Sequence, residues 1–132
     1  MEALLAKRVD ERPVAGFNLV AVIDGEGLAV HYDGVFRPVR FGPGTHVISS
    51  DRDLDDPEMP EKQLFDSRFG PGRPEEAEIF KYLASHEGER PVCKHNERFG
   101  TVSSTLYVEG TPPRLLHAPG PPCRTPYEDR MK

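Results

Sequence analysis

The segment 16–41, GFNLVAVIDGEGLAVHYDGVFRPVRF, constrains the fold more than any other part of the chain. Two Asp-Gly pairs, at 24–25 and 33–34, separate three apolar runs at a spacing that is typical of two tight β-hairpins. Residues 17–23 are almost all apolar, so we expect this strand to be buried on both faces. Pro38 cannot donate a ladder hydrogen bond, which places the third strand at an edge or at a bulge. The segment therefore predicts an antiparallel three-stranded meander.

The remaining periodic segments complete a pattern of helices and strands that is typical of an α+β domain. Helices are predicted over residues 1–12, from near Pro60 and over residues 74–87, and further strands over residues 45–50, 101–108 and 114–117. Because the strands come as hairpins and the helices are grouped apart from them, this order favours antiparallel sheets with helical layers over an alternating parallel sheet. At 132 residues the chain is long enough to bury one core, so we expect a single domain over residues 1–132.

Composition and charge narrow the class of protein. The chain has 30% charged residues and a net charge of −5, with the two signs interspersed and no cluster of lysine or arginine. Nucleic-acid binding is therefore not expected, because it depends on a basic surface. No apolar run reaches the ~20 residues that a membrane-spanning helix needs, and the N-terminus is too charged for a secretory signal peptide. These features predict a cytoplasmic protein, in which Cys93 and Cys123 are expected to be reduced.

Three separated blocks occur in an order that resembles a known family. They are GFNLVAVIDGEGLAVHYDG from Gly16, GPGTHVISSDRDLDDPEMP from Gly42 and FGTVSSTLYVEG from Phe99. Together they resemble the C-terminal portion of the NRDE family, also called the transport and Golgi organisation family, over about residues 15–122. The resemblance implies a fold like that of the N-terminal-nucleophile (Ntn) hydrolases, in which antiparallel sheets are sandwiched between helical layers.

The resemblance also implies a chemistry for which this chain carries only part of the apparatus. Members of the family open with Met-Cys and carry an Asn-Arg-Asp-Glu motif soon after, whereas this chain begins Met1-Glu2 and joins the pattern about halfway along. In the Ntn mechanism a terminal side chain attacks an amide and the α-amine of the same residue takes the proton. Cys93 and Cys123 are internal, so neither has a free α-amine. We therefore expect an incomplete Ntn-hydrolase-like domain, to which no catalytic residue is assigned.

Two functions follow from the resemblance, and the sequence leaves open whether the chain is an enzyme. One is amide hydrolysis after complementation by the missing N-terminal segment. The alternative is non-catalytic binding or trafficking of haem or an acyl lipid in the cleft between the sheets. The expected partners are accordingly a small amide or hydrophobic ligand, the N-terminal half, or a second copy of the chain paired through an open sheet edge.

Six polar residues are candidates for lining such a cleft: Asn18, Ser49, Ser50, Thr101, Ser103 and Thr105. Asn18 lies in an apolar run, where it either stabilises an oxyanion, as a related branch implies, or bonds an adjacent loop as a structural residue. Ser50 stands where the family often has Asn, so a turn or helix-cap role is the alternative for Ser49 and Ser50. The three remaining hydroxyls share one face of a predicted strand, which either lines the cleft or meets water. Val102 replaces the Arg that the family usually carries there, which removes a carboxylate clamp.

Two clusters resemble metal ligand sets, and their spacing argues against both. The aspartates of residues 51–55, DRDLD, have the spacing of the first ligands of a calcium loop. The glycine and the bidentate glutamate that such a loop needs are absent, which favours a solvated acidic loop. Cys93 and His95, with His86 nearby, suggest a soft metal or a haem, but zinc sites usually show tighter paired spacing. We accordingly favour an incidental thiol and imidazole, and predict no metal and no cofactor.

Overall fold

The computed structural model of the chain describes residues 1–11 and 15–132. The chain divides into two compact units, Met1–Asp66 (unit 1) and Ser67–Lys132 (unit 2), which are described separately. The helices and strands, in chain order, are α1 Glu2–Glu11, β1 Phe17–Ile23, β2 Glu26–Tyr32, β3 Phe36–Phe41, α2 Pro60–Phe69, α3 Glu76–Leu83, β4 Ser104–Val108, β5 Arg114–Ala118 and β6 Glu128–Asp129. Helices combined with two small antiparallel three-stranded sheets confirm the predicted α+β class, whereas the Ntn-type sandwich stays a prediction. Arg12, the last residue of the first predicted helix, lies outside the described residues.

Unit 1 contains the predicted three-stranded meander. Strand β1 pairs with β2, and β2 pairs with β3, both in the antiparallel sense. Asp24 (φ 51°) and Gly25 (φ 79°) both have positive φ, as in the two-residue turn whose twist matches that of its flanking strands. Pro38 lies on β3, which is an edge strand, as the missing N–H requires. Turn chemistry and the position of the proline thus specify this sheet locally.

The core of unit 1 is built on the central strand. Leu28, Ala29 and Val30 of β2 are buried, as are Met59 and Phe65 beside and within α2. Helix α2 begins where the sequence predicted, at residue 60. The buried apolar side chains of unit 1 thus come from the central strand and from the segment at and just before α2.

Strand β1 departs from the prediction made for it. Its residues alternate between half-buried and exposed, and Val20 and Val22 are 50% and 65% exposed. The prediction that both faces of this strand are buried is therefore wrong. A continuous apolar run indicates burial on both faces for a central strand, whereas β1 forms an edge of its sheet. Pairing of this edge with another chain stays a prediction.

The segment 45–50 forms no strand, contrary to the prediction, and its β-type contact is an isolated bridge between Ser49 and Arg52. Its backbone pairs instead with the acidic loop that follows. Val47 N donates to Oδ1 of Asp55 at 2.9 Å, and Asp55 N donates to the Val47 carbonyl at 2.8 Å. An aspartate that offers the backbone such local partners competes with a strand ladder, and here the loop is the result.

Unit 2 combines a short helix with a second antiparallel sheet of order β4-β5-β6. Helix α3 is shorter than the predicted helix over residues 74–87, because Glu75 is its N-cap with an extended backbone and Ala84 is its C-cap. Strand β4 begins three residues later than predicted, and β5 lies where it was predicted. The two-residue strand β6 falls in the tail that the sequence pattern assigned as irregular.

Polar and aromatic contacts hold these elements of unit 2 together. Arg114 of β5 forms a bidentate ion pair with Glu76 of α3. The ring of Phe80 lies 4.6 Å from that of Tyr127, whose hydroxyl donates to Oγ of Ser104 at 2.7 Å. None of the helices within residues 1–11 and 15–132 combines the length and the apolar character that a bilayer crossing requires.

Candidate metal centre

The loop after α3 brings the first two residues of the site together. Cys93 N donates to the Ser85 carbonyl at 3.0 Å, which closes the chain between them into a turn. Gly88 sits in this turn at φ 83°, a conformation that residues with a side chain adopt rarely. Because His86 directly follows the bonded Ser85, its imidazole lies beside Cys93.

A small hairpin-like turn then presents the next residue of the site. Thr101 N donates to the Lys94 carbonyl at 2.9 Å, and Lys94 N donates to Oγ1 of Thr101 at 2.9 Å. The tip is closed by Asn96, whose Oδ1 accepts from Phe99 N at 2.7 Å while its own N–H donates to the Phe99 carbonyl at 3.0 Å. His95 lies on one arm of this turn, in an isolated bridge to Gly100. Thr101, predicted to line a cleft, therefore braces the arm that carries the Cys-x-His segment.

The fourth residue comes from the proline-rich tail. Arg124 N and Thr125 N both donate to the Pro121 carbonyl, at 3.1 and 3.0 Å, which forms a tight turn around Cys123. A Cβ atom at Gly120 would lie only 2.5 Å from Oγ1 of Thr125, so the turn can close this tightly only because residue 120 is glycine. The turn fixes Cys123 against the loop after α3.

Four side chains from these three segments converge: His86, Cys93, His95 and Cys123. One nitrogen or sulfur atom of each lies within 4.8 Å of the corresponding atoms of the other three. The Nε2 atom of His95 is 3.1 Å from Sγ of Cys123 and 3.5 Å from Sγ of Cys93. In a tetrahedral zinc site with two sulfur and two nitrogen ligands, the ligand atoms stand about 3.3–3.8 Å apart. The observed cluster is therefore close to the size of an occupied site.

The environment of Cys93 adds an electrostatic argument. Its side chain is 1% exposed, whereas the other three ligands are exposed. Burial raises the pKa of the Cys93 thiol, because the thiolate loses its hydration. A bound divalent cation offsets that loss and holds a coordinating thiol in the deprotonated form. Because the raised pKa favours the protonated thiol, a cation that binds Cys93 has to displace its proton.

Three members of this candidate ligand set are recognisable in the sequence, and the fourth is not. His86, Cys93 and His95 were recognised as a possible soft-metal set, and the absence of short paired spacing argued against it. The completing ligand, Cys123, lies 28 residues beyond His95 and reaches the site only through the fold. The prediction of an incidental thiol and imidazole, with no metal and no cofactor, stays a prediction.

The aspartates of residues 51–55 do not converge. Asp51 accepts from Oγ of Ser49, Asp53 accepts from Arg37, and Asp55 bonds His46. Among the described residues, the His86–Cys93–His95–Cys123 group is the cluster of three or more such ligands that could hold a metal ion.

The predicted cleft residue Asn18 belongs to a polar row across the sheet of unit 1. The strand register pairs Asn18 with His31, and His31 with Arg37. The amide of Asn18 accepts from Nδ1 of His31 at 2.6 Å and donates to the Ser49 carbonyl at 2.7 Å. Both polar ends of Asn18 are therefore engaged, and one of them bonds an adjacent loop.

At the other end of this row, the guanidinium of Arg37 is also hydrogen-bonded. Arg37 donates to both carboxylate oxygens of Asp33, at 3.0 and 2.8 Å, and to Asp53 at 3.0 Å. The guanidinium lowers the pKa of the Asp33 carboxyl, while the two carboxylates raise the pKa of Arg37. The row brings Asn18 and Ser49 together, and His31 and Arg37 are members that the sequence did not single out.

The remaining predicted cleft residues, Ser50, Ser103 and Thr105, do not belong to this row. Ser50 is exposed in a turn of unit 1. In unit 2, Ser103 and Thr105 are exposed, and Oγ1 of Thr105 lies 2.9 Å from Nδ1 of His117. The hydroxyl face of β4 is thus exposed along Ser103, Thr105 and Tyr107.

No family model, no curated protein and no solved structure matches the chain. The resemblance to the NRDE family stays a prediction that depends on three blocks of sequence. A functional assignment depends, in consequence, on the chemistry of the side chains that the fold brings together.

Proposed function

We propose that unit 2 binds one zinc-like divalent ion through His86, Cys93, His95 and Cys123, and that this centre has a structural function. The observation that carries the proposal is the convergence of four donor atoms within 4.8 Å of one another. The four residues come from three separate segments, so a shared ion would join the turn after α3, the hairpin-like turn and the proline-rich tail.

The donor types select the kind of metal. Two thiolates and two imidazoles form the ligand set of tetrahedral zinc sites, whereas magnesium and calcium take oxygen ligands. The set supplies four protein ligands, which fills a tetrahedral shell and leaves no position for a substrate or a water molecule. Both features support a structural zinc ion rather than a catalytic one.

The small apolar core of unit 2 supports the same role. All residues of unit 2 are described, and its buried apolar side chains are Tyr82, Cys93 and Ala118. Units of this size bury too little apolar surface to be secure on hydrophobic packing alone, and structural metals commonly supply the difference. One of the three buried residues is itself a ligand, so the ion would lie at the centre of the packing.

Haem binding, the alternative implied by the resemblance, is less well supported at this site. The macrocycle of a haem occupies the four equatorial positions of its iron, and the protein supplies ligands only along the axis. Four protein donors that converge on one another fit a bare ion instead. Haem titration of the reduced chain should accordingly produce no saturable spectral change that depends on Cys93.

Metal analysis of the purified chain tests the proposal. We expect one equivalent of zinc per chain after gel filtration, and absorption bands of a tetrahedral thiolate site after substitution with cobalt. Cys93→Ser and Cys123→Ser should each remove most of the metal, whereas His117→Gln, which changes a histidine of β5 outside the cluster, should retain it. A metal-free chain that also fails to take up zinc or cobalt at neutral pH would contradict the proposal.

Amide hydrolysis, implied by the resemblance, is a second proposal and concerns the polar row of unit 1. What supports it is that the buried His31 and the Ser49 carbonyl hold the Asn18 amide in place, and the second N–H of that amide could donate to an oxyanion. The nucleophile would be the cysteine of a Met-Cys segment like that of the family, added to the protein as a second polypeptide. The test is hydrolysis of a panel of acyl amides and acyl-homoserine lactones by the mixture, with Asn18→Ala as the inactive variant. A mixture that turns over none of them rules this function out.

A further inference from the structure

We propose that the metal centre is also a redox switch, in which a peroxide joins Cys93 and Cys123 in a disulfide and the ion is released. The inference depends on the proposed zinc site and concerns its regulation. It combines three observations: the distance between the two sulfurs, their unequal exposure and the absence of any other cysteine in the chain.

The two sulfurs are already close enough to react. Both cysteines are free, and their Sγ atoms lie within 4.8 Å of each other. A disulfide needs a separation of about 2.05 Å, so the tail turn and the loop have to approach by less than ~3 Å. Both sulfurs also face the same atom, Nε2 of His95, which places them on one side of the cluster.

Unequal exposure sets the order of the two steps. Cys123 is exposed and Cys93 is buried, so a peroxide in solution reaches the sulfur of Cys123 first. That sulfur attacks one peroxide oxygen, the O–O bond breaks, and a sulfenic acid forms while the other oxygen leaves and is protonated to water. The sulfur of Cys93 then attacks the sulfur of Cys123, the S–O bond breaks, and a second water leaves.

The overall change is balanced in atoms and electrons. Two thiolates, one hydrogen peroxide and two protons give one disulfide and two waters, with the thiolates losing the two electrons that the peroxide gains. A disulfide sulfur is a poor ligand for zinc, and the two remaining imidazoles cannot retain the ion alone. The chain has two cysteines, so within one molecule the product is a single defined disulfide.

The zinc-bound form and the disulfide form link different segments of unit 2. The ion joins all three segments, because His86 and His95 are ligands together with both cysteines. The disulfide joins Cys93 to Cys123 only, and it releases the two histidine-bearing turns. The oxidised form should therefore keep the link between loop and tail while the amides around His86 and His95 exchange faster.

The test uses the full chain, reduced and loaded with zinc, and adds hydrogen peroxide in equimolar steps. Released zinc is read with a chromogenic chelator, and the product is identified by intact mass and peptide mapping under non-reducing conditions. We expect one zinc released for each peroxide consumed, and a chain lighter by two hydrogen atoms with Cys93 linked to Cys123. Dithiothreitol and added zinc should restore the starting state.

Two variants make the result specific. In Cys93→Ser the sulfur of Cys123 has no partner, so peroxide should add oxygen to that residue and form no intramolecular link. His117→Gln should behave as the unaltered chain in both zinc release and mass.

The outcomes of this test distinguish a failure of the redox switch from a failure of the zinc site. A chain that binds zinc but keeps it under peroxide, or that loses it through oxygen addition or a link between two chains, overturns the switch and leaves the structural site intact. A chain that never binds zinc overturns the site, and the switch with it.

Discussion

Units 1 and 2 both contain a three-stranded antiparallel sheet, yet they bury different sets of apolar side chains. In unit 1 the central strand is buried together with Met59 and Phe65, so the hydrophobic effect supplies the driving force. In unit 2 the buried apolar side chains are few, and one of them is Cys93 of the proposed metal centre. If the proposed ion is bound, unit 2 draws on a source of stability that unit 1 lacks. The contrast predicts that the two units respond differently to the same perturbation.

Removing the metal should reveal the difference between the two units most clearly. We expect chelation to strip hydrogen-exchange protection from residues 85–103 and 120–125, because structural zinc contributes folding free energy directly. The amides of β2 in unit 1 should keep their protection, since no residue of the proposed centre belongs to that unit. Exchange mass spectrometry with and without a chelator measures both. Equal loss in the two units, or no loss in either, would show that the ion does not play this role.

The converse perturbation is Met59→Ala. Met59 is 0% exposed, and truncating a buried methionine typically costs about 2–5 kcal/mol of unfolding free energy. We expect denaturant unfolding to show this loss in unit 1, while the zinc content stays at one equivalent. Met131→Ala, at a methionine that is largely exposed, is the matched control and should change stability little. Loss of zinc in Met59→Ala would mean that the units are not independent.

A smaller effect concerns the pH dependence of unit 1. His46 bonds a carboxylate of Asp55 at 2.6 Å through Nδ1 and the Gly42 carbonyl at 2.9 Å through Nε2. Both partners accept hydrogen bonds, so the imidazolium, which has two N–H donors, fits the site best. The bond to Asp55, followed by that to Gly42, raises the pKa of His46.

The sign of the pH effect follows from that shift. A histidine whose folded pKa is raised contributes stability fully below its ordinary pKa of about 6.5, and the contribution is lost as pH rises through the folded value. We expect the unfolding free energy of unit 1 to fall as the pH rises through this range. Asp55→Asn should flatten the profile, and NMR titration of His46 should give a pKa above that of a model peptide. A pKa at or below the model value contradicts the assignment.

The smallest effect tests the turn that carries Cys123. In Gly120→Ala the new methyl group meets Oγ1 of Thr125 at 2.5 Å, which should displace the turn and weaken zinc binding by about tenfold, or 1.4 kcal/mol. Competition with a chelator of known affinity measures the change. Thr125→Ala on its own should have little effect, and combined with Gly120→Ala it should restore most of the affinity. Equal weakening in the single and the double variant would assign the effect to something other than this contact.

What the sequence could predict in this fold is local. The hairpins of unit 1 were predictable because Asp24-Gly25 and the second Asp-Gly pair determine the turn geometry within a few residues. The α+β class followed from the order of the elements. Periodicity failed where a residue outside the segment supplied the hydrogen-bond partner: residues 45–50 match a strand pattern, but Asp55 takes the backbone hydrogen bonds of Val47.

The candidate site shows the same limit more sharply. Cys-x-His at residues 93–95 was visible as a ligand pair, and His86 lay near it. The decision against a metal rested on spacing, and spacing carries no information about a ligand such as Cys123 that arrives through tertiary structure. Conversely, Asn18 was expected in a buried setting because its neighbours are apolar, and it lies exposed on an edge strand with both polar ends bonded.

X-ray absorption at the zinc edge of the purified chain tests the central claim most directly. The account predicts a first shell of two sulfur atoms at about 2.3 Å and two nitrogen atoms at about 2.0–2.1 Å, and a zinc signal that is largely lost in Cys123→Ser. A first shell made of nitrogen and oxygen alone, or one that is unchanged in that variant, would show that these four side chains do not form a metal centre.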